Sequence, residues 1–246
     1  MAKPQRVDHE TVFLLHATPW RESSLWLEVY SRNHGRVALL ARSARKRQSE
    51  LRGVIVPFVP FSASWFGDNE LKTLHRAEWL GGWQTPQGQN QFAAWYINEL
   101  LLKLTAREDP NPALFDALSQ IMQTIGKQQN YIAPLRQFER TLLLELGLAH
   151  DFTQDADGMA IDANADYWVQ AEHVPVLFDK LQYEPAKGLK VRGKTLLAMA
   201  NNDWQDGEVL AEALQLNRLF LDFYLPEGIK TRQVLQQLNA LKQQFS

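Results

Sequence analysis

Ser24-Leu25-Trp26-Leu27-Glu28-Val29-Tyr30-Ser31-Arg32-Asn33-His34-Gly35-Arg36-Val37-Ala38-Leu39-Leu40-Ala41-Arg42 holds two alternating runs around a turn. In the first run Leu25, Leu27 and Val29 share one face, opposite Trp26, Glu28 and Tyr30. In the second, Val37, Leu39 and Ala41 oppose Arg36, Ala38, Leu40 and Arg42. A period of two sends successive side chains to opposite faces of a strand. Arg32-Asn33-His34-Gly35 supplies the turn, with glycine where a positive φ is needed. The stretch reads as a β-hairpin. Outward from it, Thr11–Ala17 is β-rich and is stopped by Pro19. Val54–Phe66 is long and apolar, and Pro57 and Pro60 imply a bulge or an edge. Gly67-Asp68-Asn69 turns into Glu70–Leu80, where Leu71, Thr73, His75, Ala77 and Trp79 are expected to share a face. Five short strands with one long interruption between the third and fourth is the count of an OB-type barrel. An SH3-like barrel or a small sandwich would give much the same string.

The character changes at Gly81-Gly82, and Thr85–Gln91 reads as a linker. Helical periodicity follows. One helix is expected over Phe92–Thr105. A second opens at Pro112, with Leu114, Leu118, Ile121 and Ile125 as its stripe and Gly126 as its end. A third runs from Pro134 to Leu146, and Lys194–Asn201, Glu208–Leu225 and Arg232–Phe245 complete the set. His150–Ala171 is acidic and irregular, and its pattern assigns it to no element.

Composition bounds the function. With 45% hydrophobic and 22% charged residues a real core is available. The apolar runs are short, as at Leu100–Leu102, far below the ~20 residues that span a bilayer. Met1–Arg6 leads into no apolar stretch with a cleavage site, so no signal peptide is expected. There is no cysteine, which excludes disulfides, a cysteine nucleophile, iron–sulfur clusters and cysteine-built zinc sites. A cytoplasmic protein with no membrane partner is expected. The net charge of −2 is unevenly spread: residues 1–80 carry 12 Lys and Arg against 8 Asp and Glu, and the remainder 14 against 20. An anionic partner would meet the first part.

Catalytic signatures are missing. No GxxxxGK[ST] or GxSxG occurs, and His9-Glu10 lacks the second histidine of a zinc-protease helix because Phe13 stands there. The six histidines include no pair at i, i+4. Asp155-Ala156-Asp157-Gly158 resembles the middle of a calcium loop, but Thr153 and Asn164 occupy its first and twelfth positions, so it reads as a solvated acidic loop. No metal, cofactor or catalytic residue is expected.

The sharpest local signal is Arg42–Arg52, with five cations (Arg42, Arg45, Lys46, Arg47, Arg52) against one acid. Long cationic side chains on a loop suit phosphate backbones, whose counterions they release. A solvated surface loop is the plainer reading of such a run. Aromatics beside a cationic groove hold single strands by stacking, and Trp26 and Tyr30, opposite the Leu25/Leu27/Val29 face, are candidate platforms if they are not packed in the core. In the helical part Arg136 and Arg140 flank a stripe containing Phe138. They could rim an apolar groove for a peptide with acidic residues and a terminal hydrophobe, or pair with nearby Glu139, Glu145 or Asp residues.

The chain resembles the RecO family of bacterial recombination mediators. The segments that carry the likeness are Pro19-Trp20-Arg21-Glu22-Ser23-Ser24-Leu25, His34-Gly35-Arg36-Val37 through Leu40–Arg45, and Pro57-Phe58-Val59-Pro60-Phe61. Further along are Tyr96-Ile97-Asn98-Glu99-Leu100-Leu101, Arg136-Gln137-Phe138-Glu139 and Ile229-Lys230-Thr231-Arg232. They fall in family order and span most of the chain outside 150–190. The resemblance implies an α+β fold, with a five-stranded OB-type barrel followed by an all-helical domain. The expected boundaries are residues 1–80 for the barrel, 81–91 for the linker and 92–246 for the helical domain, with the irregular acidic segment at about 150–171. It also implies binding to single- and double-stranded DNA, annealing of complementary strands, and contact with the acidic C-terminal tail of single-strand-binding protein. Partnership with RecR in loading a recombinase, and a nucleoid-associated place in the cytoplasm, follow from the same likeness. Many family members hold zinc with four cysteines after the third helix. This chain has none there, so packing is expected to hold that region.

The resulting expectation is a non-enzymatic mediator. Arg36, Arg42, Arg45, Lys46, Arg47 and Arg52 are expected on phosphates, with Trp26 and Tyr30 as platforms. Lys230 and Arg232 are further cations whose position equally fits packing at the start of the last helix. Arg136, Arg140 and Phe138 are expected to form the tail groove. The alternative is a protein-interaction scaffold whose barrel touches no nucleic acid.

Overall fold

The computed structural model describes residues 6–181 and 185–244. The expected helix end at Phe245 lies outside them. Strands β1 (Arg6–Trp20), β2 (Ser24–Ser31), β3 (Gly35–Ala41), β4 (Pro60–Phe66) and β5 (Leu71–Trp79) close a barrel in the order β1-β2-β3-β5-β4. Neighbours are antiparallel except β3 and β5, which run parallel from Ala38 beside Leu71 to Leu40 beside Thr73. This is the five-stranded OB-type arrangement. Leu27, Val29, Val37, Leu39 and Ala41 point inward, where they meet Phe61 and Trp65. Each fully buried Val, Leu or Phe is worth ~1.5–3 kcal/mol. A one-residue slip, which would turn the whole set outward, is therefore strongly opposed.

Three strands depart from expectation, each for a local reason. β1 runs through Pro19 because at that end it pairs with β2 alone, so the missing N–H breaks no ladder on its other side. β4 starts only at Pro60, since residues 54–59 run through turns and bends in which Phe58 takes a positive φ (+71°). In β5 the extra residue His75 bulges out between the Trp65–Leu74 and Ser64–Arg76 pairs. The bulge shifts the alternation, so Leu74 enters the core while His75 is exposed.

The chain forms two compact units, Met1–Gln129 with Ile229–Ser246 and Asn130–Gly228. In the first, α1 (Asn90–Leu104), α2 (Pro112–Gly126) and α6 (Lys230–Gln244) accompany the barrel, so the boundary expected at 81–91 lies inside this unit. Asn98 fixes α1 by donating to the carbonyls of Leu14 (3.0 Å) and Leu15 (3.2 Å), where Leu15 bulges from the β1–β2 ladder. A bulge interrupts the local ladder, and a buried amide is one way to satisfy carbonyls there. The start of α6 is capped by Glu99, whose carboxylate accepts from the backbone N–H groups of Lys230 (2.7 Å) and Thr231 (2.9 Å) and from the Thr231 hydroxyl (2.6 Å).

The second unit holds α3 (Ile132–Glu145), α4 (Gly193–Ala200) and α5 (Gly207–Tyr224). It also holds β6 (Asp166–Gln170), β7 (Val176–Leu177) and β8 (Gly188–Arg192), a sheet of order β7-β6-β8. The expected all-helical part is therefore not helical throughout. Tyr167, Trp168 and Val169 are buried in succession, so β6 carries no alternation to read. Ahead of it, Phe152 is fully buried beneath the Arg140 guanidinium (4.1 Å) and beside Phe220. Asp155, read from the sequence as part of a solvated loop, is buried and accepts from the N–H groups of Asp157 (3.0 Å) and Met159 (2.9 Å). Among the described residues no helix is long and apolar enough to cross a membrane.

Candidate nucleic-acid interface

Three chain segments meet at one end of the barrel. Ala41, the last residue of β3, lies beside Leu25 of β2, and Leu25 lies beside Pro19 of β1. The β1–β2 turn and the start of the β3–β4 connection are therefore neighbours. The Arg45 N–H donates to the Ser23 carbonyl (2.8 Å), and its guanidinium donates to the carbonyls of Arg21 (3.2 Å) and Glu22 (3.3 Å). Further on, Lys46 N–H bonds back to Ser43 (3.1 Å), Ser49 to Lys46 (3.0 Å) and Arg52 to Ser49 (3.3 Å). Ala44 is buried in the barrel core, and Leu51, Val54 and Ile55 pack partly against it.

Apolar anchors thus hold the connection down while its polar residues face out. Arg42, Arg45, Lys46, Arg47 and Arg52 are all exposed, and among the described residues none of them is paired with a carboxylate. An open depression is lined by Ser43, Lys46, Arg47, Gln48 and Ser49. Uncompensated cations so close together repel, and a polyanion relieves that repulsion.

Two expected members of this site are used inside the protein instead. Tyr30 is 1% exposed and stacks on Phe115 of α2, so it is core and not a platform. Arg36 donates twice to the Thr105 carbonyl (3.2 and 2.9 Å) and faces Glu28 at 3.4 Å. Burial, only partly offset by Glu28, lowers its pKa, yet a guanidinium stays charged. Arg36 therefore serves as an internal clamp. Glu28 also accepts from the Trp26 indole N–H (3.1 Å) and from Arg107. Trp26 itself is half-buried and leans on Trp20, with ring centroids 5.3 Å apart. Trp20, one of the barrel aromatics that composition alone would place in the core, is 36% exposed, and Arg21 beside it is exposed. The signal was present in Pro19-Trp20-Arg21, one of the family-like segments.

Residues 7–83 match the family model described as Recombination protein O N terminal, and residues 87–233 match Recombination protein O C terminal. The chain belongs to the RecO family of DNA repair and recombination proteins. A DNA repair protein RecO of Neisseria meningitidis serogroup B is 54% identical over 95% of this chain and 89% of its own length. Those of Azoarcus sp. and Chromobacterium violaceum are 41% and 38% identical over 98% of this chain, covering 100% and 99% of their own lengths.

Several segments that carry the RecO likeness do structural work in this chain. Arg232 donates to the Tyr96 hydroxyl (3.1 Å) with its guanidinium 5.4 Å over that ring. Lys230 gives its backbone N–H to the Glu99 cap while its side chain is exposed. These contacts favour packing at the start of α6 over phosphate binding for Arg232. The expected tail groove is likewise corrected. Arg136, Phe138 and Arg140 are 8%, 2% and 1% exposed. Arg136 pairs with Glu139 at 2.9 Å, Glu139 accepts from Asn217 of α5 (3.0 Å), and Arg140 donates to the His150 carbonyl. Burial lowers the Arg140 pKa to about 10. The three side chains form interior packing and not an open rim. Among the described residues no group of three or more His, Asp or Glu could hold a metal ion.

Proposed function

We propose that this RecO-family chain is a non-enzymatic repair mediator that binds single- and double-stranded DNA at the barrel end carrying Arg42, Arg45, Lys46, Arg47 and Arg52. In this reading it anneals complementary strands and helps load a recombinase onto strands coated by single-strand-binding protein, in the cytoplasm at the nucleoid. The observation that supports it most is that, among the described residues, these exposed cations have no carboxylate partner. Annealing needs no bond chemistry: cations offset the repulsion between two phosphate backbones, and base pairing drives the rest. The acidic tail of single-strand-binding protein and RecR enter as partners through the family likeness.

The test is annealing of complementary strands by the wild type and by a variant with Arg45→Glu, Lys46→Glu and Arg47→Glu together. The rate should fall by roughly tenfold or more at low salt, while the circular-dichroism spectrum stays that of the folded chain. Equal rates would reject the assignment, and a wild type that neither retains nor anneals DNA would leave a protein-binding scaffold.

A further inference from the structure

We propose that Trp20 and Trp26 form a base-stacking platform that makes this barrel end favour unpaired strands over duplex. The inference rests on the reading that residues 42–52 hold phosphates.

The register places the two rings together. Thr18 lies beside Trp26 and Trp20 beside Ser24, so both tryptophans fall on the outward side of the β1–β2 ladder. Their centroids are 5.3 Å apart with the planes at 58°. Trp26 is held from below: its indole N–H donates to Glu28 (3.1 Å), and the Arg107 guanidinium sits 5.9 Å from its ring centre. Trp20 leans on this fixed ring and is 36% exposed at the strand end. Trp79 and Trp95 are more exposed still, at 47% and 50%, so what distinguishes Trp20 is the fixed second indole beside it and the cations that surround it.

The charges converge on the same place. Leu40 pairs with Trp26 across the β2–β3 ladder, and exposed Arg42 follows directly on the end of that strand at Ala41, nearer the barrel end. Arg21 follows Trp20 directly, and Arg45 is tied to the carbonyls of Arg21 and Glu22. Lower on the same outer face, Glu28, Tyr30 and Arg36 are taken up by Arg107, Phe115 and Thr105. A strand is therefore confined to the upper part, where aromatic surface and free cations lie together.

Discrimination follows from chemistry. Both single strand and duplex offer phosphates, but only an unpaired base has a π-face free to stack on an indole.

The experiment compares wild type, Trp20→Ala, Trp20→Phe and the Arg45/Lys46/Arg47 reversal variant. Each is titrated by fluorescence anisotropy against a labelled oligo-dT and a duplex of equal length. Trp20→Ala should bind oligo-dT roughly tenfold more weakly and duplex within twofold of wild type, while Trp20→Phe retains most of the affinity. Intrinsic tryptophan fluorescence should be quenched by oligo-dT in the wild type and markedly less in Trp20→Phe. The platform is overturned if Trp20→Ala changes both ligands alike or neither, and also if Trp20→Phe quenches as the wild type does. When reversal weakens both ligands but Trp20→Ala is neutral, the platform alone fails. If reversal leaves both affinities intact, the phosphate reading falls and takes the platform with it.

Discussion

Gly35 tolerates less change than its neighbours. Its φ is +62°, and a Cβ there would stand 2.2 Å from the Asp109 carbonyl oxygen. The segment it would displace donates the Glu108 N–H to the Arg36 carbonyl (2.9 Å) and presents Arg107 to Glu28 and Glu70. Gly35→Ala combines a left-handed backbone with a steric clash, so it should lower stability by about 2 kcal/mol or more. Urea denaturation measures this, and a loss under about 0.5 kcal/mol would contradict the close approach. The same neighbourhood explains why single residues were hard to judge from sequence. Arg36 and Arg42 stand on one face of the hairpin, yet one is claimed by Thr105, 69 residues away, and the other is left in solvent. Arg136 and Arg140 looked like a rim for the same reason. Their burial is decided by Glu139, Asn217 and Phe152, partners that a local pattern does not reveal.

At the scale of elements, the hairpin and helices were legible because their periodicity survives folding. Leu27, Val29, Val37 and Leu39 are inside as the alternation requires, and Pro112 and Gly126 bound α2 where they were read. What was lost follows from breaks in period. His75 bulges and reverses the face of β5, and β6 is buried without alternation. The last helix illustrates an element joined through one carboxylate. Burial pushes the Glu99 pKa up, but hydrogen bonds from Thr231 and Lys230 outweigh it and hold the carboxyl below its ordinary value. A carboxyl with a lowered folded pKa stabilises fully above its unfolded pKa, and that gain is lost as pH falls through the folded value. Glu99→Gln should therefore cost on the order of 1 kcal/mol at about pH 6. The gap between wild type and variant should close as pH is lowered through the carboxylate range. Thermal melts across pH test this, and a gap that widened in acid would refute the cap.

Over the whole molecule the net charge of −2 conceals how the cations are used. In the first unit Arg6, Arg32, Arg76 and Arg107 are committed to Asp8, Asp116, Glu78 and the Glu28/Glu70 pair. The exposed pairs of Arg6, Arg32 and Arg76 contribute little stability, about 0–1 kcal/mol each, but all four cancel charge. Among the described residues of that unit, five cations without a carboxylate partner lie together on residues 42–52, anchored to the barrel by Ala44 and Leu51. That concentration is the core of the account, and ionic strength probes it directly. Each phosphate neutralised on a single strand adds about 0.7 to the slope of log K against log salt. Anisotropy titrations of oligo-dT over a range of salt should give a slope of about −3 to −4 for the wild type, were five cations engaged. Reversing Arg45, Lys46 and Arg47 should flatten it to between about −1 and −2. A slope near zero in the wild type, or one that the triple reversal leaves unchanged, would contradict the assignment of this barrel end to nucleic acid.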